Sequence, residues 1–297
     1  MIDIVIRMLL KPLTRLAIAL LMVYGQTSLT QQSEEPPDRD TPCAASQSPN
    51  LHSEVTVAEL NLEGDLQLPR ADQEQITSEL KDGTYPDEPD GVTEELEERL
   101  RQAWQNRGYF KVRVQGASHI LSSVPGNAQV AATFHIEEGP QYRLQQITFK
   151  GNKAIANTKA LRDLFPSKDG DVFNRAAIGT GLENLGKAYR QFGYVNFTSV
   201  PETKINEANQ RISLMIDIDE GKQFYISSIH VFGADPQILS DLPLKPGQPY
   251  NGNLVEAFLR KHLPDSDPND QRVQHRVLNE RAGTVALAFD FRDCGVN

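Results

Sequence analysis

Alternating apolar and polar positions open three stretches of the chain, and each stretch ends on glycine: 54–64 (EVTVAELNLEG), 142–151 (YRLQQITFKG) and 224–233 (FYISSIHVFG). A period of two is the pattern of a half-buried strand. Behind each strand, Leu, Ile or Phe recur at three- and four-residue intervals, over 72–81 (DQEQITSELK), 157–165 (NTKALRDLF) and 235–242 (DPQILSDL). That spacing predicts a short helix. A turn comes next in which glycine precedes an aromatic residue: Gly83 with Tyr85, Gly170 with Phe173, Gly247 with Tyr250. The aromatic ring is placed to pack on the sheet.

A longer amphipathic helix follows each turn. Leu96, Leu100, Ala103 and Trp104 form one stripe over 93–106, and Ile178, Leu182, Leu185, Ala188, Tyr189 and Phe192 form another over 174–192, where Asn174 reads as the N-cap. The third helix, 253–263, carries Leu254, Ala257, Phe258 and Leu263. The first two helices run into Gly-Tyr, as Gly108-Tyr109 and Gly193-Tyr194. Glycine there supplies a left-handed cap that lets the chain turn back into a strand. Each stretch closes on two strands, the last ending as ATFHIEEG (132–139), MIDIDEG (215–221) or AFDFRDCG (288–295). The order is β-α-α-β-β, three times over, at a period of about 85 residues.

The junction strings EEGPQYRLQQITFKGN and DEGKQFYISSIHVFG, with the Gly-Tyr after the long helix, closely resemble the links between POTRA (polypeptide-transport-associated) domains. Such domains precede the barrel in outer-membrane β-barrel assembly proteins and two-partner secretion transporters. The resemblance covers about 54–297 and is most specific over 106–233. It implies an α+β fold of three tandem units, each a three-stranded mixed sheet with two helices on one face and the last strand central. The units are placed at 54–140, 141–222 and 223–297. The third departs from the pattern, since Leu263-Pro264-Asp265 stands where Gly-Tyr is expected.

Ahead of the repeats, Arg7, Lys11 and Arg15 lead into an apolar run from Leu16 to Tyr24, the layout of a cleavable export signal over 1–25, with Met8 an alternative start. An uncleaved N-terminal anchor is the other reading. Residues 26–53 are rich in Ser, Thr, Gln and Pro and read as a flexible leader. Cys43 and Cys294 are the two cysteines, and an oxidising compartment would permit a disulfide between them. The formal net charge of −10, with no basic stripe, speaks against nucleic acid as a partner.

The six histidines include no HExxH and no pair at helical i, i+4 spacing, and no Gly-x-Ser-x-Gly elbow, Walker loop or dinucleotide fingerprint is present. Gly179-Thr180-Gly181 falls inside a helix and points to close packing or a kink. The acids Glu94, Glu95, Glu97 and Glu98 read as a solvated helix face. Glu137-Glu138 and Asp219-Glu220 offer too few oxygens for calcium. The chain is therefore expected to be non-catalytic, without cofactor or metal.

The resemblance implies a periplasmic module that binds protein. Its second strand would lie at the sheet edge, open to an extended peptide. The expected edges are Phe110, Lys111, Val112, Arg113 and Val114 in the first unit, 195–200 with Val195, Asn196, Phe197 and Thr198 in the second, and 272–278 in the third. Lys111 and Arg113 are also the charges that guard such edges. The expected partners are an outer-membrane β-barrel protein or its assembly complex, together with unfolded client polypeptides; membrane contact is peripheral or through the N-terminal segment. Since the sequence stops soon after its last strand, a detached periplasmic factor is expected. An envelope or division-type scaffold with a retained anchor is the alternative, and an exported hydrolase a more distant one.

Overall fold

The computed structural model describes residues 54–85, 89–124, 127–263 and 274–292. The expected export signal and leader, and both cysteines, lie outside the described residues.

Unit one comprises strand β1 (Glu54–Glu63), helices α1 (Arg70–Lys81) and α2 (Pro89–Gln105), and strands β2 (Arg113–Val124) and β3 (Asn127–Glu137). Unit two repeats the order with β4 (Arg143–Lys150), α3 (Thr158–Arg162), α4 (Arg175–Arg190), β5 (Thr198–Asn206) and β6 (Arg211–Asp219). Unit three has β7 (Tyr225–Phe232), a 3-10 helix (Pro236–Asp241), α5 (Gly252–His262), β8 (Gln274–Asn279) and β9 (Thr284–Asp290). The sheets run β1-β3-β2, β4-β6-β5 and β7-β9-β8. In each, the first strand is parallel to the central one and the second is antiparallel to it. A parallel pair needs a long crossover, which the two helices supply.

Each opening strand slips register by one residue, at Ala58, Gln145 and Ser227. Those bulges fix a common frame, because Gly64, Gly151 and Gly233 follow each of them at the same distance. The strand alternation is reproduced in β6, where Ile212, Leu214, Ile216 and Ile218 are buried between partly exposed neighbours. Each unit has its own core. Trp104, Leu96, Leu100 and Phe134 fill the first, Tyr142, Leu185, Tyr189 and Ile216 the second, and Ile226, Phe258, Val285 and Phe289 the third. Full burial of such side chains contributes about 1.5–3 kcal/mol apiece.

Local signals hold in detail. Asn157, Asn174 and Asn251 accept backbone N–H bonds as N-caps of α3, α4 and α5. Gly181 packs against the Phe165 ring so closely that a Cβ would lie 2.0 Å from it. On α2, Glu95 pairs with Arg99 and Glu98 with Arg101.

Candidate binding edges and the seams between units

The expected edge residues divide between two places. β2 begins at Arg113, so Phe110, Lys111 and Val112 stand ahead of it and only Arg113 and Val114 belong to the strand. β5 begins at Thr198, so Val195, Asn196 and Phe197 precede the edge of unit two. The alternation of these segments is not that of a paired strand. After Gly-Tyr the chain makes a further tight turn, with the Phe110 N–H donating to Gly108 O, Val112 to Tyr109 O, Val195 to Gly193 O and Phe197 to Tyr194 O. Val112 is buried in the first core, and the Phe197 ring stacks on Tyr189 with centroids 4.4 Å apart.

Phe110 and Val195 instead reach forward. Phe110 meets Phe173 of unit two edge-on at 5.3 Å, and Val195 packs against the core of unit three. Around them the two seams are built on one plan. The Gly108 carbonyl accepts the Tyr142 N–H at 2.8 Å, and the Gly193 carbonyl accepts the Phe224 N–H at 2.8 Å. Gln141 donates to Arg107 O at 2.9 Å, and Gln223 to Phe192 O at 2.8 Å. Gly108 and Gly193 have φ of 91° and 86°, and a Cβ on either would collide with the next unit, at Val172 in one case and at the Phe224 carbonyl in the other.

The hairpin acid of the following unit completes each seam, with different chemistry. In the first, Glu207 pairs with Lys111 and accepts from the Tyr142 hydroxyl at 2.6 Å. The Lys111 bond, then the Tyr142 bond, hold the Glu207 carboxyl below the usual range. Burial, reinforced by Glu207, pushes the Tyr142 phenol up to about 12. In the second, Glu280 accepts from the Asn196 amide at 2.7 Å, and its carbonyl accepts from Lys222 at 2.7 Å.

The acids closing units one and two turn inward as latches. Buried Glu138 accepts from the Gln67 N–H at 2.6 Å, the Leu68 N–H at 3.2 Å and the Trp104 indole at 2.7 Å. Glu220 repeats the arrangement with the Ala154 N–H at 2.7 Å and the Tyr189 hydroxyl at 3.1 Å. Burial, then the Glu220 bond, raises the Tyr189 pKa. The backbone contacts join positions 66 to 71 residues apart and the Trp104 and Tyr189 contacts positions 34 and 31 apart, separations that no local pattern announces.

β2, β5 and β8 lie at the outer edges of their sheets. In β2, the Gly116 N–H leaves the ladder and donates to Glu97 on α2 at 3.2 Å. Backbone groups of one parity along an edge strand face outward, so Val114 and Ser118 share that direction with Gly116. Pro201 stands at the corresponding rung of β5 and has no N–H to offer. Arg113 pairs across the sheet with Glu137, so its charge is already engaged.

Three units of a three-stranded mixed sheet under two helices, joined through a Gly-Tyr turn and a Gln-aromatic entry, have the architecture of tandem POTRA-type folds. The family model for POTRA, the surface antigen variable number repeat, matches residues 142–221, so the second unit is a POTRA domain. A protein of Treponema pallidum named for outer-membrane protein assembly is 28% identical over 210 residues, covering 65% of this chain and 25% of its own length. The outer membrane protein assembly factor BamA of Buchnera aphidicola is 23% identical over 230 residues, covering 71% of this chain and 36% of its own. The chain thus spans between a quarter and about a third of these relatives. The crystal structure of Haemophilus influenzae BamA POTRA3-5 superposes with a TM-score of 0.57 at 17% identity, covering 84% of this chain and all of that one.

Proposed function

We propose that the chain is a non-catalytic, periplasmic protein-binding module of outer-membrane protein assembly. It docks to a β-barrel protein or its assembly complex and takes extended client segments by strand addition. Relatives named as assembly factors support the setting. The observation that carries the binding mode is the outer edge of β2, a strand of 12 residues paired on one side only. Backbone bonds formed there tolerate many client sequences. Each adds about 1 kcal/mol net, so a single edge binds weakly.

Fluorescence anisotropy with a labelled peptide of alternating apolar and polar residues tests this on the full chain. Ser118→Pro removes an outward donor and is expected to weaken binding roughly fivefold. Ser118→Ala, which loses only the hydroxyl bonded to Thr93 at 2.6 Å, controls for the side chain. Equal affinity in a folded Ser118→Pro variant overturns strand addition at β2.

A further inference from the structure

The common frame of the units exposes an asymmetry at their leading faces. Ile120, Ile205 and Leu278 occupy the same place in their edge strands, each opposite a buried residue of the central strand: Val130, Ile212 and Val285. Ile205 and Leu278 are half-buried and pack against the cores of units two and three. Those cores also take in Phe110 and Val195, the residues sent forward by the preceding unit. Ile120 has the same chemistry and position but is 48% exposed, and Leu121, the bulge residue beside it, is 47% exposed. Every described side chain packed into the first core comes from unit one itself.

We propose that this leading face is an open seam, the docking surface for a POTRA-type unit of another polypeptide. The occupant follows from the two closed seams, in which a hydrophobic residue after Gly-Tyr seats against the leading face of the next unit. Residues 26–53 contain neither glycine nor Phe, Tyr or Trp and cannot supply such a turn. A second copy cannot supply it either. Its two Gly-Tyr turns are consumed in its own seams, and its third helix runs into Leu263-Pro264. Glu207 and Glu280 complete the closed seams, whereas the leading face of unit one presents Ile120 and Leu121, so the new contact is apolar and insensitive to salt. The proposal rests on the seam geometry alone and stands apart from client capture.

The test is photo-crosslinking of the full chain in its native cells, with a benzophenone amino acid at Leu121 and the crosslinked peptide sequenced by mass spectrometry. The expected partner peptide contains a Gly-Tyr-hydrophobic turn from a POTRA-type unit of another chain. Its yield should persist in high salt and fall roughly tenfold with Ile120→Asp, as loss of an apolar contact requires. Ile120→Ser, with the fold checked by circular dichroism, guards against a variant that merely misfolds. Crosslinks to residues 26–53, to a second copy, to lipid or to unfolded clients overturn the proposal, as does the absence of any crosslink.

Discussion

Glu138 ties the end of β3 to the loop after β1 and to the indole of Trp104, with three donors converging on one buried carboxylate. Removing it leaves those donors without their partner, two of them in buried surroundings, the situation in which a lost hydrogen bond costs most. Glu138→Ala is expected to destabilise the protein by about 3 kcal/mol. Glu220→Ala removes two bonds at a less buried position and should cost about 1 kcal/mol. Urea unfolding of both variants reads the difference, and equal midpoints would show that the latches carry no such weight. Gly193 is a second sensitive position. Its φ of 86° and the Phe224 carbonyl beside it leave Gly193→Ala strained in backbone and in space. The loss should appear in the stability of units two and three together, seen as reduced amide protection on both sides of the seam.

At the scale of elements, β2 is held in check by its own helix. Glu97 occupies the Gly116 N–H, and at the same rung β5 carries Pro201, so two edges are blocked at one position by different chemistry. Glu97→Ala should free the donor and strengthen peptide binding at β2 a few-fold, about one hydrogen bond. Weaker or unchanged binding in anisotropy titrations would mean that Glu97 does not guard the edge. Much of this architecture was legible in the chain. Glycines 64, 151 and 233, the turn aromatics Tyr85, Phe173 and Tyr250, and the helix stripe ending at Trp104 mark where each element begins and stops. The starts of the first two edges were misplaced because Phe110-Lys111-Val112-Arg113-Val114 alternates like a strand while its first half is a turn. What distinguishes the halves is a contact with Phe173, far along the chain. The latches escaped for the same reason, since the partners of Glu138 and Glu220 lie at sequence distances over which local pattern carries no information.

Across the molecule, the first seam is electrostatic and so depends on pH. The folded state lowers the Glu207 pKa, so the stability it adds is present above the ordinary carboxylate pKa and is lost as pH falls through its depressed folded value. The folded state raises the Tyr142 pKa to about 12, so its contribution is complete below the ordinary phenol pKa and disappears as pH rises through about 12. Spin labels on units one and two should therefore report a broadened distance distribution at both pH extremes. Tyr142→Phe should abolish the alkaline limb and, by removing one of the two bonds that lower the Glu207 pKa, shrink the acid limb, and a distribution unchanged with pH would place the coupling elsewhere. The forward-reaching Phe110 and Val195 carry a last consequence, for how the chain comes apart. Each is encoded in one unit and packed in the next, so neighbours share hydrophobic contacts and melt as coupled links of a one-dimensional array. Unit two takes in Phe110 and gives Val195 to unit three, so opening it breaks shared contacts on both of its sides and costs more than opening a unit coupled on one side.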